Sequence, residues 1–291
     1  MRVSVIIPSL NAPTLGRALA AVAAQSEPPH EVIIVGRDEA GTLQAHPSVH
    51  FIDTGAPVCA ARARNLGMAA ATGDLFLLLD SDCIPSPDWL ARHRARHIAG
   101  ETVVGGAVAL QGSNYWAQSD NVSMFHEFVP QLPAESRFLL PTLNLSLRRE
   151  VFAAVGGMDE SFPGAAAEDA DWTVRIRRAG HRLWFDPAAV VGHSPARVAP
   201  RDVVRHWRNL GHNAIRVRLR YADEFGTPRA ARHAWWWRLF SPVIAAGVTA
   251  KVYAKRPLRR HWPSLPVVYA TKIIYCFGAA RAIDSGFAGQ P

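Results

Sequence analysis

The sequence predicts an α/β protein: a mostly parallel central sheet flanked by helices, continued by a helical C-terminal extension. Three observations carry this reading. Short β-branched apolar runs alternate with Ala/Leu-rich stretches of helical spacing over residues 3–99. Apolar residues are 49% of the 291 and charged ones 19%, the composition of a folded chain. Charge then changes abruptly: residues 1–196 hold 15 Arg or Lys against 20 Asp or Glu, and residues 197–260 hold 15 against 3. The change divides the chain into a predicted catalytic part, 1–196, and a basic, aromatic-rich part, 197–291.

"VSVIIPS" (3–9), "EVIIVG" (31–36), "VHFIDT" (49–54) and "LFLLLD" (75–80) are continuous apolar runs, as expected of strands buried on both faces. Between them, 14–24 and 58–71 have helical spacing, with Thr14 placed to cap the first. Asp88 to Ala99 is a further helix, ended by Gly100. "TVVGGAVAL" (102–110), "LPTLNLSLRR" (140–149) and "LWFDPAAVVGHSP" (183–195) read as strands, and "AEDADWTVRIRRAG" (167–180) as a helix with acids first and Arg plus Gly last. Residues 111–138 show no clear period. Cys59, Cys83 and Cys276 have no paired spacing, which argues against disulfides and a structural zinc site and fits a reducing compartment. "MRVSVIIPSLN" is too short in apolar residues for a signal-peptide core and reads as a first strand.

Two acidic groups stand out. Asp80 and Asp82 are i and i+2 at a predicted strand end, so their side chains share one side of an extended backbone. Mg²⁺ or Mn²⁺, with substrate phosphate oxygens, would relieve their repulsion; an ordinary polar turn is the alternative. Glu168, Asp169 and Asp171 open a predicted helix after the small-residue run "GGMDESFPGAAA". They either compensate the helix dipole or, delivered by that loop, supply a general base.

Four pieces in order resemble glycosyltransferase family 2, with its GT-A (Rossmann-like) fold: "VSVIIPSLN", "ARARNLGMAAATGDLFLLLDSD", "NLSLRREVFAAVGGMDESF" and "EDADWTVRIRRAGHRLWFDPAAVVGH". The resemblance implies a metal-dependent enzyme of the hexosyl- or deoxyhexosyltransferase class that uses a nucleotide-diphosphate sugar donor. It places Pro8, Ser9 and Asn11 in the nucleotide pocket, Arg64 near the base or diphosphate, and Asp80 with Ser81 at the ribose or sugar. Asp82 would hold the metal, with His193 completing that site, and Asn144 would lie near the donor sugar or acceptor. Asp169 matches the catalytic base, kept ionised at neutral pH by its helix start, with Glu168 beside it on the acceptor side. One such base implies inversion at the anomeric carbon. The chain departs from the family after the second strand, where an acidic pair usually precedes Gly-Ser. Here the run is Gly36-Arg37-Asp38-Glu39, so that either Asp38 or Arg37 would contact the nucleotide.

In the second part, 203–221 is an amphipathic helix. Trp207, Gly211, Ile215 and Leu219 lie on one side, and Arg205, Arg208, His212, Arg216 and Arg220 form a basic stripe. The run 239–250 is interrupted by Pro242 and falls short of the roughly twenty residues that span a bilayer. Trp235 to Trp237 beside basic residues suit an anionic membrane surface, the basic stripe could instead serve a lipid-pyrophosphate acceptor, and the clustering of aromatics with aliphatics argues against nucleic acid. The expected setting is peripheral, at the cytoplasmic face of the cell membrane, in surface polysaccharide or glycolipid synthesis with a saccharide or lipid-linked acceptor. A haloacid dehalogenase-type phosphatase would carry its DxD on the first strand, not the fourth. A non-catalytic partner subunit would not need Asp80, Asp82 and Asp169 intact.

Overall fold

The computed structural model describes residues 1–163, 166–195 and 197–286. In chain order the elements are β1 (Val3–Leu10), α1 (Leu15–Ala23), β2 (Glu31–Arg37), β3 (His50–Asp53), α2 (Ala60–Ala70), β4 (Leu75–Leu79), β5 (Cys83–Pro85) and α3 (Trp89–Ile98). There follow β6 (Val103–Leu110), α4 (Tyr115–Phe125), β7 (Glu135–Ser136), β8 (Asn144–Arg148), α5 (Arg149–Val155), α6 (Glu168–Arg178) and β9 (Leu183–His193). The chain closes with α7 (Pro200–Arg220), α8 (Ala234–Ala254) and α9 (Leu265–Asp284).

They form two compact units, residues 1–109 with 128–193, and residues 110–127 with 194 onward. The aperiodic stretch 111–138 hides α4, which belongs to the second unit. α4 escapes sequence reading because most of its polar residues, Ser119, Asp120, Asn121 and Ser123, are buried, which erases the amphipathic pattern.

The first unit holds a nine-stranded sheet in the order β3-β2-β1-β4-β8-β6-β9-β5, with β7 also on β9. β1 pairs parallel with β2 and β4, and β2 with β3, so this half is as expected. β8 is antiparallel to both β4 and β6, and β5 and β7 are antiparallel to β9. The sheet is therefore mixed, not mostly parallel. β8 carries Asn144 and Ser146 between leucines, yet all three positions Asn144, Leu145 and Ser146 are buried, so its residues do not by themselves set the pairing direction. All five residues of β4 are fully buried, as a strand covered on both faces requires. Ile6, Val35, Met68, Phe76, Trp172 and Ile176 share the core cluster that seats α2 and α6. Thr14 precedes α1 but makes no side-chain cap.

The second unit is helical. On α7, Trp207, Gly211 and Ile215 of the apolar side are buried and Leu219 is partly buried, but Arg216 is buried too, which removes it from the basic stripe. Buried Asp120 of α4 accepts hydrogen bonds from Trp207 Nε1 at 2.7 Å and Arg197 Nε at 2.6 Å. Lys272 of α9 donates to the Ser123 carbonyl at 2.9 Å and lies 4.0 Å from the centre of the Trp207 ring. α8 runs through Pro242. Among the described residues, no helix is long and apolar enough to cross a membrane. The three cysteines are free, as expected.

Candidate active site

β1 leads to β2 on one side, and the chain returns from β3 to β4 on the other side of β1. Connections leaving in opposite directions open a crevice beyond the C-terminal strand ends. A cleft of ≈ 280 Å³ fills it. Its lining comes from Pro8, Ser9 and Leu10 of β1, Val35 and Gly36 of β2, Val58, Ala60, Ala63 and Arg64 on and before α2, and Asp80, Ser81 and Asp82 after β4. Gly36 closes the crevice floor. It pairs with Ser9, its φ is +142°, and a Cβ there would stand 1.9 Å from the Ser9 carbonyl oxygen. Only glycine fits such an approach.

Arg64 is the hub of the site. It is buried, and its Nη2 donates to Asp80 Oδ1 at 2.7 Å while Nη1 donates to Glu168 Oε1 at 2.9 Å. Burial opposes the guanidinium charge, but the carboxylates of Asp80 and Glu168 outweigh it and raise its pKa. One cation thus ties the end of β4 to the start of α6. Among the described residues, Ser9 Oγ, Arg64 Nε and Glu168 Oε2 are buried polar atoms without a hydrogen-bond partner. Ser9 and Arg64 also line the cleft, so their open polar atoms are placed to meet a polar ligand there.

Asp169 is half-buried, and its Oδ1 accepts the Ala170 amide at 2.7 Å. Burial first, and then the neighbouring Glu168 charge, push its carboxyl up to about 7, against the attraction of Arg64. The expectation that the helix start keeps it low is therefore wrong: desolvation and like charge exceed the dipole here. The residue before the pair, Ala167, has φ +72°, a left-handed backbone costly for a residue with a Cβ. The third acid of the cluster, Asp171, is fully buried and bonds Arg175 Nε at 2.9 Å, holding α6 to the carbonyls of Val155 and Gly157. Gly164 and Ala165 of the run before α6 lie outside the described residues.

The loop that leads towards the acids is clamped by Asn65, which sequence reading passed over. Asn65 Nδ2 donates to the Met158 carbonyl at 2.9 Å, and its Oδ1 accepts the Met158 amide at 2.8 Å. A Cβ on Gly157 would stand 2.6 Å from that Oδ1. The signal was the company of "RNLG" and "GGMD", since the Gly-Gly pair admits the amide.

Antiparallel pairing of β5 with β9 sets His193 opposite Cys83 and brings its Nε2 to 3.4 Å from Asp82 Oδ2. A carboxylate and an imidazole suit Mn²⁺, and Mg²⁺ through the carboxylate, with remaining positions left to diphosphate oxygens and water. The described residues contain no group of three or more His, Cys, Asp or Glu that could hold a metal ion. The pair therefore fits a metal shared with a phosphorylated ligand and not a closed protein cage.

Four residues expected at the nucleotide or sugar are engaged elsewhere. Asn144 is fully buried: its Nδ2 donates to the carbonyls of Ala107 and Ala189, and its Oδ1 faces Trp89 Nε1 and His93 Nε2, at 2.7 and 2.9 Å. It is a structural knot between β8, α3, β6 and β9, with nothing left for a sugar. Asp38 spends both carboxylate oxygens on the amides of Thr42 and Leu43, closing a turn. Arg37 donates to the Gly55 carbonyl and to Glu39, and its Nε lies 3.6 Å from Asp53 Oδ1. Neither lines the cleft. Asn11 is exposed and accepts the Glu39 amide, so it braces the loop beside the cleft without lining it.

The chain is similar to several known proteins. The pre-mycofactocin glycosyltransferase of Mycobacterium tuberculosis is 31% identical over 56% of this chain, which spans only 36% of that protein. The glycosyltransferase AglE of Haloferax volcanii is 30% identical over 80% of this chain and 79% of its own. The structure of mannosyltransferase PcManGT from Pyrobaculum calidifontis, in complex with GDP-Man and Mn²⁺, superposes with a TM-score of 0.61 at 17% identity, covering 94% of this chain and 86% of the other. That likeness shows the GT-A fold. With the model of "Glycosyl transferase family 2" matching residues 4–156, the chain belongs to glycosyl transferase family 2.

Proposed function

We propose that this protein is an inverting, metal-dependent transferase that moves a sugar, of the hexosyl or deoxyhexosyl class, from a nucleotide-diphosphate donor to a hydroxyl acceptor. The observation that carries the reading is the bridge from Asp80 through Arg64 to Glu168, which joins the strand-end cleft to the acid pair on α6. The cleft takes the nucleotide, with Ser9 Oγ as a free polar contact and Asp80 at the ribose or sugar. Asp82 and His193 would hold Mg²⁺ or Mn²⁺, which neutralises charge on the diphosphate leaving group when bound. Asp169 accepts the acceptor proton as that oxygen attacks the anomeric carbon and the bond to the diphosphate breaks. A single displacement inverts the centre. A carboxylate titrating near 7 suits a base working at neutral pH. Glu168, whose Oε2 has no hydrogen-bond partner of its own, serves as a second hydrogen-bond acceptor on the acceptor side.

The basic second unit, with exposed Trp235, Leu239 and Val243 on α8, supports work at an anionic, cytoplasmic membrane face on a saccharide or lipid-linked acceptor, as in surface polysaccharide or glycolipid synthesis. The deciding experiment offers UDP-, GDP- and TDP-sugars with Mn²⁺ and a panel of acceptors, and reads the product's anomeric configuration by NMR. A product of retained configuration, or transfer undiminished by EDTA, overturns the mechanism.

A further inference from the structure

Two exposed arginines on different helices, Arg208 of α7 and Arg281 of α9, line one surface cavity in the second unit. α7 and α9 cross at a pair of glycines. A Cβ on Gly211 would stand 2.1 Å from the Tyr275 carbonyl oxygen, and one on Gly278 would stand 2.2 Å from that of Arg208. The close crossing leaves a cavity of ≈ 260 Å³ lined by Arg208, Asn209, His212, Gly278 and Arg281. Of the acids on these two helices, Asp202 lies beside Arg201 and Arg205, and Asp284 pairs with Arg238. Among the described residues, neither Arg208 nor Arg281 forms an ion pair. Burial and then the Arg281 charge hold His212 below its ordinary value. Glycine packing thus brings the backbones of α7 and α9 close enough for both arginine side chains to line one cavity.

We propose that this cavity binds a phosphate or diphosphate group, gripped by Arg208 and Arg281 with His212 and Asn209 as further donors. Guanidinium groups match phosphate oxygens in fork geometry, and a doubly negative guest would balance two arginines that form no ion pair of their own. Val204 and Phe277, exposed at 42% and 49%, stand one helical turn before Arg208 and Arg281. A chain attached to the phosphate would meet them. The proposal stands on α7 and α9 alone and is independent of the transferase reading.

The test uses the full chain without divalent metal, with ¹⁵N-histidine NMR following His212. The probes are inorganic pyrophosphate and, separately, phosphatidylcholine vesicles with and without phosphatidic acid. Either phosphate probe should shift His212 towards imidazolium, because a nearby anion raises its pKa. R208Q and R281Q should each weaken the response by roughly tenfold or more, the worth of a charge-assisted hydrogen bond, and R208K should recover part of it. Unchanged nucleotide binding at the cleft shows that the variants are folded. A response to pyrophosphate alone assigns a soluble phosphate; a response only to vesicles carrying phosphatidic acid assigns a lipid headgroup. A His212 signal indifferent to both probes, or equal in wild type and R208Q, overturns the proposal.

Discussion

Arg64 Nη1 lies 2.9 Å from Glu168 Oε1, and both side chains are almost wholly buried although they are 104 positions apart. Removing one partner of a buried pair leaves the other charge uncompensated and costs about 3–5 kcal/mol. Arg64→Met should therefore destabilise the fold by that amount in urea titrations. The double variant Arg64→Met/Glu168→Gln should lose clearly less than the sum of the singles. Additive losses would show that the pair is not energetically coupled.

Asp169→Asn should lower turnover by roughly 10²- to 10⁴-fold with little change in donor affinity, the usual size of a general-base contribution. Glu168→Gln should cost less turnover and raise the acceptor KM. If Glu168→Gln abolishes transfer while Asp169→Asn keeps it, the two roles are exchanged.

The pH dependence of Asp169 has two signs. As the base it must be ionised, so kcat/KM should fall as pH drops through about 7. For stability the sense reverses. The folded-state value lies above the unfolded one, so the folded state binds the extra proton between them, and stability from this group declines as pH rises towards 7. Asp169→Asn should match wild type in thermal midpoint at low pH and exceed it at pH 8. An equal difference at both pH values would mean that Asp169 titrates normally.

Nucleotide diphosphate should bind more tightly with Mn²⁺ than with EDTA, and Asp82→Ala should remove most of that increment by calorimetry. His193→Ala should remove a smaller share, because its imidazole is the second protein donor beside Asp82. Metal-independent affinity in the wild type would sink both assignments.

Gly36→Ala forces a Cβ against the Ser9 carbonyl and a left-handed backbone, which alone costs about 1–2 kcal/mol. The variant should melt earlier and bind nucleotide more weakly, since Ser9 and Gly36 both line the cleft. Loss of stability with unchanged nucleotide affinity would separate the strand contact from the binding surface.

The parallel half of the sheet was legible because strands buried on both faces need unbroken apolar runs. The pairing directions after β4 were not, because nothing local in "NLSLR" states which neighbour it meets. The acid pairs were legible for a related reason: carboxylates at the end of an apolar run demand an explanation. Asn144 misled because an amide in a resembling motif looks the same whether it faces a ligand or, as here, four buried partners. Asp38 misled likewise, since an acid two residues from the usual position can as well cap a turn. The value near 7 at Asp169 depends on burial and on charges brought in by folding, which no local pattern records.

The antiparallel seam between β4 and β8 joins Leu79 to Asn144. A chain still under synthesis therefore completes β4 well before its outer partner exists. During that interval Leu75–Leu79 is an uncharged apolar edge with open backbone donors and acceptors, the kind of surface that recruits other strands. At ordinary elongation rates, the 65 positions from Leu79 to Asn144 last on the order of several seconds. Arg64 then has Asp80 alone, and Glu168 arrives later still. Nascent chains stalled near residue 130 should accordingly aggregate or engage chaperones more than chains stalled after residue 200, and equal behaviour of the two would mean that the edge is shielded by other means.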